Sequence, residues 1–267
     1  MDGWRSVQMG DIVSGTVVEI GRGITVRLDG DLAAATAIVG GLDAGWTTRW
    51  KETVRIGGRI TAEVVHVDAE SGRIGLSTAA TEHAELWAFL KSKRMGDVLG
   101  GTVADIQNFG VFVALDEGPP HPVYPGVGFV TIPELSWRRF EAPTDVVTVG
   151  EHVEGEFLQF DTWNGEARLS LRALRPDPFQ AFADGTRAGR RLTGRAVKVV
   201  PFGVFVEVAD GIEGLLHKDE LGVDSLDEDD PDGPVRPGDT IEVVVREVDR
   251  TRRRLALGID RAPLPRR

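Results

Sequence analysis

Val199 to His217 reads VVPFGVFVEVADGIEGLLH, and its hydrophobic pattern is that of a β-hairpin. The run Val204 to Val208 is rich in valine and phenylalanine, residue types that favour strands. Asp210 and Gly211 supply turn chemistry, and leucines then lead to the final histidine. The stretch therefore predicts two antiparallel strands joined by a short turn, and the rest of the chain is built from related copies.

Two phenylalanines of this hairpin form a candidate stacking surface. Phe202 and Phe205 are an odd number of residues apart, so a regular strand would direct their rings to opposite faces. Gly203 permits an irregular turn in which Phe202 precedes the strand, and both rings then share one face. An exposed aromatic pair beside His217 and nearby arginines is typical of surfaces that stack unpaired bases. The alternative is that both rings belong to the core of the domain.

Two further copies of the pattern precede it. Residues 95–113 read MGDVLGGTVADIQNFGVFV and match LTGRAVKVVPFGVFV, residues 192–206, with both phenylalanines at equivalent positions. A weaker copy, MGDIVSGTVVEI, occupies residues 9–20. Each unit ends in a short strand that follows an aspartate and reads GRIGLS, EARLSL or RRLALG. Such self-similarity indicates repeated domains, and units of roughly 70 to 80 residues hold small cores of their own.

Each unit is predicted to contain five short strands, with a helical or irregular piece between the third and the fourth. That order describes an OB-type Greek-key barrel. The predicted fold is all-β, with three tandem five-stranded OB-fold barrels joined by short helical linkers. The ranges are a degenerate barrel at 1–80, a linker helix at 81–94, a barrel with a Pro-rich loop insertion at 95–174, a linker at 175–189, a barrel at 190–260 and a basic tail at 261–267.

Composition places the chain among ordinary soluble proteins, with 41% hydrophobic and 27% charged residues. It has no cysteine, which excludes disulfides and thiolate metal sites and suits the cytoplasm. No apolar run approaches the roughly 20 residues that span a bilayer. We therefore expect a cytoplasmic protein without a membrane partner.

The net charge of −11 argues against a nucleic-acid role, because phosphate binding needs a basic footprint. Residues 95–174 carry 4 basic and 12 acidic side chains, a balance of −8, whereas residues 175–267 carry 16 and 18, a balance of −2. The last unit concentrates acids in DSLDEDDPD, Asp224 to Asp232, and arginines between Arg246 and Arg254. Segregated charge allows a basic face, so the third unit is the better candidate. The acidic run lacks the glycine and the terminal glutamate of a calcium loop, and no metal site is predicted.

These residues resemble the S1 RNA-binding domain family, named for the largest protein of the bacterial small ribosomal subunit. The resemblance rests on a glycine, a β-run, FGVFV, then EGLLH, and a late strand that ends in aspartate before LALG. It covers nearly the whole chain as three copies. In that family an aromatic pair, a histidine and a basic residue form the surface that faces RNA. Carried onto the third copy, the resemblance implies a site made of Phe202, Phe205, His217 and Arg254, with Arg253 and Lys198 as flanking cations.

The resemblance implies a less complete site in the second copy and almost none in the first. The second copy supplies Phe109, Phe112 and Arg168, but Thr131 stands where the histidine is expected. The first copy lacks the phenylalanines and the histidine and keeps only Arg73. We interpret it as a structural or protein-contacting unit.

The predicted function is binding of single-stranded RNA by base stacking and phosphate contacts, mainly through the third domain, in translation or RNA metabolism. The sequence has no phosphate-cradling loop, no histidine pair at metal spacing and no nucleophile motif, so we expect neither an enzyme nor a cofactor. The alternative is a protein-interaction module that docks on the ribosome or on RNA-processing proteins, with RNA binding weak or lost. The acidic second unit favours that alternative.

Overall fold

The computed structural model of this protein describes residues 7–32, 36–41, 43–46, 50–68, 70–227, 230 and 233–260. The predicted basic tail, 261–267, lies outside the described residues, as do four residues of the acidic run. Three closed five-stranded barrels follow one another along the chain. The predicted all-β fold of tandem OB-type barrels is confirmed.

All three barrels have the same strand order. The first comprises β1 (Ile12–Ile20), β2 (Ile24–Leu28), β3 (Thr36–Val39), β4 (Arg59–Asp68) and β5 (Arg73–Ser77). The second comprises β6 (Val98–Gln107), β7 (Gly110–Leu115), β8 (Gly128–Thr131), β9 (His152–Asp161) and β10 (Glu166–Ser170). The third comprises β11 (Arg191–Val200), β12 (Gly203–Ala209), β13 (Ile212–His217), β14 (Thr240–Asp249) and β15 (Arg254–Gly258). In each, three strands form a meander, the third pairs in parallel with the fifth, and the fourth closes against the first.

Short helices connect the strands. They are α1 (Trp50–Thr53), α2 (Ala79–Glu82), α3 (Ala84–Ser92), α4 (Ile132–Leu135), α5 (Pro178–Asp184) and α6 (Lys218–Leu221), with 3-10 turns at Gly30–Leu32, Pro143–Asp145 and Arg172–Leu174. The helix predicted over 81–94 is two helices that meet at His83, where φ of −126° and ψ of 48° interrupt the helical backbone. Within the described ranges, no helix has the length and apolar character needed to cross a bilayer.

The chain divides into two compact units. The first unit, Met1–Leu135 and Glu141–Leu174, contains the first two barrels; the second, Ser136–Phe140 and Arg175–Arg267, contains the third barrel. Alternate strand residues fill each barrel, as the period of two requires. On β12, for example, Val204 and Val206 are fully buried while the side chain between them faces outward.

A glycine at the start of the second strand lets each barrel close tightly. These glycines are Gly23, Gly110 and Gly203. A Cβ added at any of them would stand 2.6 Å from a carbonyl oxygen of the third strand, that of Val39, Val130 or Leu216 respectively. A glycine inside a strand pattern marks this kind of close backbone approach.

Trp46 is a central packing residue of the first unit. Its ring is buried and stacks on His83 at a centroid distance of 5.2 Å and on His121 at 5.7 Å. Its indole N–H donates a 2.9 Å hydrogen bond to the carbonyl oxygen of Thr162, in the β9–β10 turn. Gly165 in the same turn lies against the indole. The tryptophan thereby joins α2 and α3 to the second barrel.

Gly165→Ala is expected to destabilise the first unit more than Gly150→Ala. Both glycines have positive φ, +72° and +88°, so each substitution carries a left-handed strain of about 1 kcal/mol. At position 165 the new Cβ would also lie 2.5 Å from Cδ2 of Trp46, whereas at position 150 no atom of the described residues lies within 4 Å. Overpacking of this kind costs about 1–3 kcal/mol. Urea unfolding followed by tryptophan fluorescence tests the difference, and equal midpoints for the two variants would contradict it.

Candidate nucleic-acid interface

The aromatic pair of the third barrel lies on one face, as the sequence predicts. Phe202 sits in the turn between β11 and β12 and is 49% exposed, while Phe205 on β12 is half-buried. Their centroids are 6.5 Å apart and the ring planes meet at 82°, an edge-to-face arrangement. The shared face follows from the turn, because Phe202 precedes Gly203 and is free of the strand alternation.

His217 ends β13 and lies beside Gly203 in the strand register. Its ring is half-exposed, and Nδ1 accepts a 3.4 Å hydrogen bond from the backbone N–H of Asp219. The histidine caps α6 through that bond, which fixes the ring at the edge of the barrel face. His217 can cap the helix because β13 ends at this residue and α6 begins at the next one.

An open groove of about 680 Å³ runs across this face. Phe205, His217, Arg253 and Arg254 line it, together with Leu215 and Ala256 on the neighbouring strands and the carboxylates of Glu213 and Glu220. Lys198 on β11 pairs directly with Phe205, so it extends the same face at the other side. The groove therefore brings together an aromatic ring, a histidine and arginines, and Lys198 lies beside it.

The cations around this groove differ in whether they form ion pairs with acidic side chains. Among the described residues, Arg254 and Lys198 are exposed and have no ion pair or hydrogen bond of the side chain. The other arginines of the cluster are paired with acids: Arg246 with Glu220 at 3.0 Å, Arg250 with Asp184 at 2.7 Å and Arg252 with Asp249 at 3.9 Å. Arg254 and Lys198 are thus the cations that remain available to a phosphate.

Arg253 is engaged by protein groups. Its guanidinium donates two hydrogen bonds to Asp177, of 2.9 and 2.8 Å. It also lies over the ring of Trp137 at 4.5 Å and that of Phe179 at 5.5 Å. With φ of 50°, Arg253 directs its side chain to these partners while Arg254 points outward. The geometry makes Arg253 a clamp that holds the start of α5 and the 136–140 segment on the barrel.

The second barrel has the same aromatic geometry but a covered surface. Phe109 is 58% exposed, whereas Phe112 is only 6% exposed. Their rings meet edge to face at 6.3 Å. Tyr124, from the Pro-rich loop between β7 and β8, stacks on Phe112 at 5.3 Å, and Phe129 packs against it at 4.9 Å. The loop therefore covers Phe112 and leaves Phe109 exposed.

His121 fixes this Pro-rich loop. Its Nδ1 accepts hydrogen bonds from the backbone N–H groups of Val123 and Tyr124, at 3.1 and 2.9 Å. The proton therefore sits on Nε2, which donates to the carbonyl oxygen of Asn164 at 2.8 Å. Burial lowers the pKa of the imidazole, in keeping with a neutral ring. No sequence motif predicts this role for His121, and the one local signal for it is the density of prolines around the histidine.

Two stretches of the chain, residues 92–172 and 186–260, match the S1 RNA binding domain family. The chain belongs to that family. The two matched ranges contain the second and third barrels, hereafter the second and third S1 domains. The small ribosomal subunit protein bS1 of Mycolicibacterium smegmatis is 36% identical over 212 residues, covering 78% of this chain and 42% of the relative.

One further sequence relative and one solved structure also match part of this chain. The bS1 protein of Neisseria meningitidis is 32% identical over 215 residues, 78% of this chain and 36% of the relative. The chain thus spans less than half the length of these relatives. The solution structure of GSP13 from Bacillus subtilis aligns with a TM-score of 0.27 and 25% identity, over 29% of this chain and 59% of that one.

Arg168 of the second S1 domain is held by acids. Its guanidinium donates hydrogen bonds of 3.1 and 2.5 Å to Asp161 and lies 4.7 Å from the centre of the Phe129 ring. Burial acts to raise the pKa of Asp161, but the bonds from Arg168 hold it below its usual value. Thr131 pairs with Gly110 as His217 pairs with Gly203, so the register confirms that threonine takes the place of the histidine.

The first barrel presents little of this surface. Thr25 on β2 follows the strand-initial glycine at the distance that Phe112 and Phe205 keep in the other barrels. Arg73 at the start of β5 is exposed and pairs with Asp68 in the strand register. At the place of the second phenylalanine this barrel therefore has a threonine, while the basic residue of the last strand is kept.

Glu166→Gln is expected to remove a pH-dependent loss of stability from the second S1 domain. Glu166 is buried, and its Oε2 lies 3.2 Å from Nη2 of Arg168 without a hydrogen bond among the described residues. Burial raises the pKa of this carboxyl from 4.5 to about 7, against the opposing effect of Arg168. Because the folded state binds the proton more tightly, its contribution to stability is complete below pH 4.5 and is lost as the pH rises through about 7.

Urea unfolding of wild type and variant at about pH 5 and about pH 8 measures this effect. The variant should gain stability relative to wild type on going from the lower to the higher pH. His121 is present in both proteins, so its own titration largely cancels in the comparison. A difference between variant and wild type that is the same at both pH values would refute the assignment.

Proposed function

We propose that this protein binds single-stranded RNA through its third S1 domain, residues 190–260. The observation that carries the proposal is the edge-to-face pair of Phe202 and Phe205 beside two exposed cations, Arg254 and Lys198, for which the described residues supply no acidic partner. A stacking surface next to free positive charge is what an unpaired, charged strand requires. The family to which the chain belongs, described as an RNA-binding domain, supports the same function.

The chemistry of such a site is tolerant of sequence. Each base that stacks on an aromatic ring contributes on the order of 1–3 kcal/mol, and every base has a face that can stack. Arg254 adds a phosphate contact that weakens with salt. His217, half-exposed at the end of β13, offers a second flat surface at the edge of the groove. The expected result is modest affinity with little base preference.

We assign the second S1 domain a smaller share of RNA binding. Tyr124 covers Phe112, and Arg168 is bound to Asp161. Phe109 is the member of this set that stays open to a base. Phe112 and Arg168 then support the covered surface from beneath, and Arg253 of the third domain has the same supporting role.

The relatives are ribosomal proteins, which favours a role in translation, in the cytoplasm and with the ribosome as a partner. Binding rather than catalysis is the activity proposed. The second candidate function is docking on the ribosome or on an RNA-processing protein. The balance of −8 over residues 95–174 and the covered aromatic surface of that domain favour it.

Phe202→Ala is expected to weaken RNA binding by about 5- to 150-fold, the loss of one stacked base. Phe109→Ala is the matched control, because it removes an equally exposed ring from the same turn of the second S1 domain. The fold-loss of affinity for Phe109→Ala should be less than about a third of the fold-loss for Phe202→Ala. Fluorescence anisotropy with a labelled single-stranded RNA of mixed sequence measures both.

Two results would count against the proposal. Equal losses for the two variants would place RNA on both domains alike. Absence of wild-type binding even at low salt would reject RNA binding and favour protein docking, which pull-down with purified ribosomes then tests.

Arg254→Ala is expected to reduce the salt dependence of binding as well as the affinity. On single strands each neutralised phosphate contributes about 0.7 to the slope of log affinity against log salt, so the slope should fall by about 0.7. Arg252→Ala is the control, because that arginine is exposed, paired with Asp249 and absent from the groove lining. Anisotropy titrations between about 50 and 200 mM salt give the slopes, and identical slopes for Arg254→Ala and wild type would exclude the phosphate contact.

A further inference from the structure

The groove of the third S1 domain contains acids that would oppose RNA. Glu213 on β13 and Glu220 on α6 line it together with Phe205 and Arg254. A phosphate bound to Arg254 would lie in the same groove as these carboxylates, and like charges placed together across an interface cost binding energy. RNA binding in this groove therefore requires that both carboxylates be neutralised.

Each of these acids has an arginine partner, but the two arginines come from different parts of the chain. Glu220 pairs with Arg246 of β14, a strand of the barrel itself, at 3.0 Å. Glu213 pairs with Arg139 at 3.2 Å. Arg139 belongs to Ser136–Phe140, a segment that precedes the third barrel in sequence and is part of the second compact unit.

The 136–140 segment is fixed by contacts that do not involve the groove. The indole N–H of Trp137 donates a 3.0 Å hydrogen bond to the carbonyl oxygen of Arg175, and the Arg253 guanidinium lies over its ring. Arg138 donates a 2.6 Å hydrogen bond to Asp210, an acid that does not line the groove. Arg139 is therefore held at the groove by its neighbours and not by its own ion pair alone.

We infer that Arg139 is a positioning residue for RNA, which neutralises Glu213 and so opens the path of a phosphate to Arg254. This inference rests on the proposed function of the third S1 domain. The Glu213 side chain is mostly buried, while that of Arg139 is half-exposed. The pair thus presents its positive end to solvent and keeps its negative end in the groove wall.

The test compares Arg139→Ala in two backgrounds of the full chain. In the wild-type background the substitution should weaken binding of the mixed-sequence RNA about 3- to 10-fold at low salt, and less as salt rises. In a Glu213→Gln background, where the carboxylate that pairs with Arg139 is gone and Glu220 keeps its own partner Arg246, it should have no effect. Arg139→Lys should retain most of the affinity because it keeps the charge. Arg252→Ala, which removes an exposed arginine that does not line the groove, is the control and should bind as wild type does.

The outcomes separate the inference from the function on which it rests. If Phe202→Ala weakens binding and Arg139→Ala does not, the inference fails and the function stands. Equal losses from Arg139→Ala with and without Glu213→Gln would mean that Arg139 acts by another route, and would also overturn it. A wild-type protein that binds no RNA at all would overturn both. Circular dichroism of each variant confirms that the fold is retained, and the Glu213→Gln rescue distinguishes charge neutralisation from loss of structure.

Discussion

A side chain at position 203 would place its Cβ 2.6 Å from the carbonyl oxygen of Leu216. Only glycine at this position therefore lets β12 approach β13 so closely. The close approach brings position 203 beside His217 and leaves Phe202 in the turn outside the strand. Because Phe202 has left the strand alternation, its ring lies on the same face as that of Phe205. The shared face of the aromatic pair and the place of the histidine beside it both depend on this one steric constraint.

The second barrel has the same close approach of a glycine to the third strand, but its aromatic surface is different. Gly110 lies as close to the third strand there, and Phe109 and Phe112 keep the edge-to-face geometry. Phe129 takes the register position that Leu215 has in the third barrel, and the extra ring supports a stack that Tyr124 completes. A common scaffold thus yields an open face in one domain and a face covered by its own loop in the other.

The local potential at the groove of the third domain depends on which acids form ion pairs with arginines, and not on the net charge of the chain. A net charge of −11 argues against phosphate binding, yet Glu213 and Glu220, the acids that line the groove, already have arginine partners. Ion pairs at the surface contribute little to stability, so the main consequence of this pairing is to shape the local field. Arg254 and Lys198 remain as the positive groups beside the aromatic rings.

Local patterns in the sequence were enough to determine the repeated units, the five-strand barrels, the position of Phe202 before its strand and the threonine in place of the second histidine. Each rests on residues close together in the chain, through the period of two, the turn glycines and the repeat spacing. Only the tertiary structure decided that Tyr124 covers Phe112, that Arg253 binds Asp177 and that Arg139 reaches Glu213. The last two contacts join residues more than seventy positions apart, and the first depends on the path of a loop without regular structure. Burial and pairing of this kind are set by the packing of distant segments, which no local pattern encodes.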